Sequence, residues 1–304
     1  MIKLFRTFLK TLLLTFYLVT SAVTFAQTFE QSVSADERKD YRTSFSGFKR
    51  LAQQGDGAAQ YNLGLMYDHG RGVPKDEKQA VLWYRKAAEQ GYASAQYNLG
   101  VMYAEGIGTA KDDKQALVWY LKAAQQGEGS AQTNLGSMYL KGRGTPKDEQ
   151  QAVLWYRKAA EQGYASAQYN LGVSYAEGIG TAKDNKQALV WYRKAAEQGE
   201  ADAQVNLGSM YADGEGVAKD DTQAVAWYLK AAEQGNSAAQ SKLGLMYATG
   251  SALVKSDQTA YFWWLLASAQ GNKAAENNRD IVVERLTPLQ RTNAEMAARN
   301  WKRK

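Results

Sequence analysis

The stretch Leu-Gly-Val-Met-Tyr-Ala-Glu-Gly-Ile-Gly runs from Leu99 to Gly108, and a near copy, LGVSYAEGIG, runs from Leu171 to Gly180. Two glycines around one residue, beside a carboxylate, suit either a phosphate-cradling loop or the punctuation between two helices. The spacing of the copies decides between them. Leu-Gly recurs at Leu63-Gly64, Leu99-Gly100, Leu135-Gly136, Leu171-Gly172, Leu207-Gly208 and Leu243-Gly244, always 36 residues apart. Trp83, Trp119, Trp155, Trp191, Trp227 and Trp263 keep the same step. A fixed period of this length marks a repeat architecture. A second period is nested inside it, since Arg71 to Gly142 matches Arg143 to Gly214 at about 61 of 72 positions. Identity between such duplicated blocks says little about constraint. Differences between neighbouring units say more.

Each unit reads as two helices. In the first, Ala95, Leu99 and Met102 recur at helical spacing with Tyr103 beside them. Gly106 stands where a helix end wants a left-handed residue. The second helix opens on Asp112 and Gln115, an Asp-x-x-Gln pair of capping-box type. The pair returns at Asp76/Gln79, Asp148/Gln151, Asp184/Gln187 and Asp220/Gln223. Ala116, Trp119, Tyr120 and Ala123 then form a buried stripe, and Gly127 closes the helix. The glycine of each Leu-Gly pair lies in mid-helix, where it costs up to ~1 kcal/mol relative to Ala. Close approach of the partner helix offsets that cost, and the recurring Trp and Tyr fill the remaining space. One helix pair cannot bury this surface alone, whereas stacked neighbours can. The expected fold is all-α, a right-handed α/α superhelical solenoid of 36-residue helix-turn-helix repeats. Its expected divisions are a leader over 1–26, an N-terminal segment and capping helix over 27–56, six repeats over 57–272, and C-terminal capping helices over 273–304. The array reads as one elongated domain. In the C-terminal part a helix is expected near Asn272 to Leu286. Thr287, Pro288 and Gln290 then carry the signature of a helix start.

These motifs resemble the Sel-one-like repeat, a branch of the tetratricopeptide superfamily. The residues that carry the resemblance are Ala95-Gln96-Tyr97-Asn98-Leu99-Gly100, Met102-Tyr103, Gly106-Ile107-Gly108 and Ala116-Leu117-Val118-Trp119-Tyr120, continuing through Lys122-Ala123-Ala124 to Gly127. The resemblance covers nearly all of the chain beyond the leader. It implies a scaffold for a protein or peptide partner. Among exported bacterial members it implies adaptor roles in signalling, envelope assembly and host contact. Related arrays include immunity proteins that neutralise a delivered toxin. Cysteine-rich relatives are linked to penicillin binding or β-lactam hydrolysis, but this chain lacks their paired cysteines.

The N-terminus reads as an address. Lys3, Arg6 and Lys10 precede an apolar run from Leu12 to Phe25, and small residues follow. This resembles a secretory signal peptide cut after Ala26, which places the protein in the periplasm or the medium. The run is too short and too rich in threonine for a membrane span, which needs roughly 20 mostly apolar residues. No later segment approaches a span. Removing the three leader cations lowers the formal net charge from +6 to +3. No basic stripe with interleaved aromatics suggests nucleic acid. The chain has no cysteine and one histidine, which excludes disulfides, a Cys nucleophile and a multi-histidine metal site.

Signals for catalysis are thin. Ser46-Gly-Phe-Lys49 is a Ser-x-x-Lys element, the pattern of an acyl-transfer nucleophile beside a lysine base. About one such pair is expected by chance from this composition, and no Ser-Asp-Asn or Lys-Thr-Gly partner is present. The glycine loops lack the Gly-Lys-Ser/Thr of a phosphate loop. The Asp112-Asp113 and Asp220-Asp221 pairs lack the framing of a calcium loop. No catalytic residue, metal or cofactor is expected.

The stronger signal is where neighbouring units disagree. Three positions of the first helix vary, four residues apart on one stripe. They are Tyr61/Leu65/His69, Tyr97/Val101/Glu105, Thr133/Ser137/Lys141, Tyr169/Val173/Glu177, Val205/Ser209/Asp213 and Ser241/Leu245/Thr249. The resemblance places this stripe on the concave face of the array. A row of Tyr, Val and Leu with isolated charges suits a protein partner, because buried aromatics anchor interfaces. The expected activity is therefore binding of a protein in the bacterial envelope or host. The alternatives are a β-lactam-acting enzyme and a toxin-binding immunity protein.

Overall fold

A computed structural model describes residues 28–303. The expected leader over 1–26 lies outside the described residues. Among the described residues every regular element is helical. Two compact units divide at Pro146 and Lys147. The first unit holds α1 (28–37), α2 (Tyr41–Gln53), α3 (Gly57–His69), α4 (Glu77–Glu89), α5 (Ala93–Glu105), α6 (Asp113–Gln125) and α7 (Gly129–Lys141). The second holds α8 (Glu149–Glu161), α9 (Ala165–Glu177), α10 (Asn185–Glu197), α11 (Ala201–Asp213), α12 (Asp221–Glu233), α13 (Ser237–Thr249), α14 (Asp257–Ser268), α15 (Lys273–Val282) and α16 (Pro288–Asn300). Within each unit the successive helices α2 to α7 and α8 to α15 pack one on the next, the architecture of an α-solenoid, and α16 packs on α14.

The mid-helix glycines make room for a ring. An added Cβ at Gly100 would stand 2.6 Å from the Tyr120 ring, and at Gly172 it would stand 2.6 Å from the Tyr192 ring. The partner helix therefore approaches through its tyrosine, and the glycine is the floor on which that ring lies. Leu63, Leu99, Leu171, Leu207 and Leu243 beside the glycines are fully buried.

The loop glycines punctuate. Gly106 closes α5 at φ 74°, with its N–H on the Met102 carbonyl. Gly108 sits at φ 65°, and its Cα lies directly against the Glu77 carbonyl at the start of α4, where no side chain fits. The Ile107 N–H also bonds to the Met102 carbonyl. Two of the loop amides are thus consumed within the chain, which removes the phosphate-cradle reading.

The capping boxes are only half formed. Asp112 accepts from the Lys114 and Gln115 amides at 3.0 Å, and Asp76, Asp148, Asp184 and Asp220 cap in the same way. The glutamine does not return the bond, because the Asp112 N–H already donates to the Tyr103 carbonyl at 2.9 Å. The second helices α4, α6, α10 and α12 are thereby tied to the end of the helix before them. The full box forms only at α16, where Gln290 accepts from the Thr287 N–H at 2.9 Å. Replacing Asp112 by alanine is expected to lower stability by about 1 kcal/mol, the usual cost of a lost cap, measured by denaturant titration.

A buried glutamine recurs that periodicity of apolar residues cannot reveal. Gln96 donates to the Ala88 carbonyl at 3.0 Å and accepts from Gln126 at 2.8 Å. Gln60, Gln168, Gln204 and Gln240 repeat this arrangement, each joining the preceding helix to the following one. Such a group is stable in the core only when its polar atoms are paired.

The ends depart from the repeat. Two helices precede the first repeat, and Phe29 of α1 packs edge-on against Phe48 of α2 at 5.6 Å. At the other end α15 stops at Val282, and a single 3₁₀ turn over Val283–Arg285 leads to α16.

Candidate functional site

The variable stripe forms a gradient from packing to surface. Its first positions, Tyr61, Tyr97, Thr133 and Tyr169, are half-buried, and Val205 is buried. Its second positions Leu65, Val101, Ser137, Val173 and Ser209 are half-buried, and Leu245 is exposed. Its third positions, His69, Glu105, Lys141, Glu177 and Asp213, are exposed. Each is the last residue of its helix.

The first-position tyrosines serve packing. Tyr61 lies tilted against Tyr84 with centroids 6.0 Å apart, Tyr97 against Tyr120 at 5.9 Å, and Tyr169 against Tyr192 at 6.0 Å. Asn98 of the next repeat hydrogen-bonds the hydroxyls of both Tyr61 and Tyr84. Asn206 does the same for Tyr169 and Tyr192. Burial raises the Tyr61 and Tyr169 hydroxyls above the usual tyrosine range, helped by Glu128 and by Asp202 and Glu200 respectively. The asparagine bonds oppose that shift. Their recurrence at Asn62, Asn98, Asn134, Asn170 and Asn206 is the sequence signal of this role, which helical periodicity of apolar residues does not reveal.

Charge at the junctions is organised by a different residue. Arg143 reaches Asp113 with Nη2 at 2.6 Å and Nε at 3.3 Å, and the Ala104 carbonyl at 3.3 Å. The Arg143 hydrogen bond holds the Asp113 carboxyl below the usual range. Asp113 in turn raises the guanidinium. This fork is the strong form of ion pair.

The candidate chemistry stays dispersed. Ser46 donates to the Arg42 carbonyl at 2.9 Å, one turn back on its own helix. Lys49 lies over the Phe45 ring at 5.7 Å. The two groups face different partners. His69 stands exposed with Nδ1 2.9 Å from the Leu65 carbonyl. Asp112 and Asp220 cap helices, while Asp113 and Asp221 pair with Arg143 and Lys219. No group of three or more potential metal ligands occurs among the described residues. The tryptophans offer no open stacking platform. Lys86, Lys122, Lys158, Lys194 and Lys230 each cover one indole at 4.0–4.3 Å. No described helix is long and apolar enough to cross a membrane.

A cleft does open on the stripe in the second unit. It measures about 310 Å³ and lies among α11, α12 and α13, with Asp213, Leu245 and Thr249 on its border. Leu245 is 52% exposed.

Comparison with known proteins agrees with this architecture. The Sel1 repeat family model matches six consecutive segments, 57–92, 93–128, 129–164, 165–200, 201–236 and 237–272. The crystal structure of c5321, described as a protective antigen of uropathogenic Escherichia coli with an SLR fold, is 37% identical with a TM-score of 0.86. It covers 91% of this chain, which spans 60% of that one. A Sel1 repeat protein from Oxalobacter formigenes is 35% identical with a TM-score of 0.72, over 79% of this chain and 96% of that one. DAP3-binding cell death enhancer 1 of Rattus norvegicus matches at 51% identity over 43 residues, 14% of this chain and 8% of the relative. With six matched repeats and a relative aligned over almost its whole length, the chain belongs to the Sel1 repeat family.

Proposed function

We propose that this protein is an exported, non-catalytic scaffold that holds another protein against the outer edge of the first-helix stripe. The observation that carries this reading is the gradient along the stripe. Its inner positions are constrained by packing, whereas its outer positions change identity and sign from repeat to repeat and reach solvent. Membership of a family of interaction repeats supports it, and the leader-like N-terminus supports export. Glu105 and Glu177 belong to this edge, and neither forms a salt bridge among the described residues.

The test is site-directed photocrosslinking in the native host. A crosslinking residue at Glu105 or Glu177 is expected to trap one protein species. The same residue at the exposed second-helix positions Leu82 or Val190 is expected to trap none of it. Glu177→Lys at the edge should lower the yield several-fold without changing the melting temperature. Equal trapping from both sets of positions would remove the assignment to this edge. Turnover of a β-lactam by the purified protein, abolished by Ser46→Ala, would replace it with an enzymatic one.

A further inference from the structure

The residue after each helix-closing glycine decides what fills the junction between neighbouring repeats. The series is Arg71, Ile107, Arg143, Ile179, Glu215 and Ser251, with Arg71 3.9 Å from Asp36 and 5.8 Å over the Tyr41 ring. At Arg143 the guanidinium itself occupies the junction, forked onto Asp113 and bonded to the Ala104 carbonyl. Ile107 and Ile179 are half-buried there. In those two junctions the acid at the start of the second helix takes a lysine instead, Glu77 with Lys75 at 2.9 Å and Glu149 with Lys147 at 2.7 Å. Where Glu215 replaces the arginine, the acid is replaced as well. Asn185 stands at that position, and its Oδ1 is buried without a partner.

Ser251 breaks the series. It is small, yet the acid facing it is kept as Asp221. The space opens as the cleft lined by Ala212, Asp213, Asp221, Tyr228, Lys242 and Ser251. Three repeats earlier, Ala104, Asp113 and Tyr120 hold the same register as Ala212, Asp221 and Tyr228. The cleft therefore has the carbonyl and the carboxylate of a guanidinium site, without the arginine.

We propose that this cleft takes an arginine side chain presented by the partner protein. The proposal rests on the interaction-edge reading, because Asp213, Leu245 and Thr249 of the stripe border the cleft. The chain's own Arg143 shows which group this arrangement accepts. The guanidinium forks onto Asp221 and donates to the Ala212 carbonyl. A lysine cannot reproduce the two parallel bonds. Lys219 holds Asp221 at 3.6 Å with its side chain 65% exposed, a weak surface pair that an arginine displaces. Asp213 adds a second carboxylate with no salt bridge among the described residues. Lys242, 5.5 Å over the Tyr228 ring, opposes an incoming cation and stands where the other repeats carry asparagine.

The experiment is an NMR titration of the whole protein with N-acetyl-L-arginine N-methylamide, against its lysine counterpart. The backbone amides of Asp221 and Tyr228 report. The arginine probe is expected to give saturable shifts at these amides, and the lysine probe to bind at least about tenfold more weakly. Ser251→Arg supplies the missing group from within. It should abolish binding and raise the melting temperature. Asp221→Asn should weaken binding about tenfold, as loss of a charged fork does. Lys242→Asn should tighten it. An arginine probe that gives no saturable shift, binds no better than lysine, or binds Ser251→Arg as well as the native chain overturns the proposal. Crosslinking from Glu105 and Glu177 is read separately. If it persists while the arginine probe fails, the interaction edge stands and only its arginine specificity falls. If crosslinking fails while the probe binds, the cleft stands and the extended edge falls.

Discussion

Replacing Gly100 by leucine is expected to destabilise the second repeat by about 3 kcal/mol, at the upper end of what overpacking a core costs. The reason is positional. The first side-chain atom would stand 2.6 Å from Tyr120, a fully packed ring on the partner helix, where no flexible end can swing aside. Leucine is intrinsically the better helix former by almost 1 kcal/mol, so a helix that needed only local propensity would gain. The sign of the change therefore separates the two accounts. Hydrogen exchange is the appropriate measurement, because repeats contact only their neighbours and opening is local. Amides of α5 and α6 should lose protection first. Unchanged or increased protection would show that the ring does not lie on the glycine.

Truncating Tyr192 to alanine is expected to cost about 3–4 kcal/mol, in the range for removing a buried aromatic ring. Tyr192 is 4% exposed, covers Gly172, supports Tyr169 and receives Asn206. Its loss leaves a cavity and removes the surface on which Tyr169 rests. Tyr169→Ala should cost clearly less, since that ring is half-buried and ends its row. A denaturant titration of both variants decides the division of labour. If the two cost the same, Tyr169 is core and belongs to the packing alone. If Tyr169→Ala is nearly neutral, the tyrosine is available to the partner as well. The same measurement on Tyr97 and Tyr120 tests the relation in the first unit.

The stripe shows why part of the candidate site was legible and part was not. Periodicity identified the helices, and register identified Tyr61, Tyr97 and Tyr169 as equivalent. Neither says whether a tyrosine is half-buried because it binds a partner or because a second tyrosine leans on it. That depends on a residue 23 positions later in each case, on the next helix. The half-formed capping boxes have the same origin. Asp and Gln stand at the right spacing, but a carbonyl from the preceding helix takes the N–H that the glutamine would have received.

The amino-acid sequence by itself determined the helix pair of each repeat, the 36-residue step, the family and the role of the loop glycines, because these follow from local backbone chemistry repeated six times. Only the tertiary structure decided what each repeated residue touches. It showed the tyrosine ring above Gly100, the glutamines joined from helix to helix, and the fork of Arg143 on Asp113. It also showed that the same junction stands open at Ser251. Contacts of this kind join residues 8 to 39 positions apart, and their geometry depends on how two helices pack. The repeat makes their registers visible in one dimension. Whether a register is filled, paired or empty is a property of volume and charge in three.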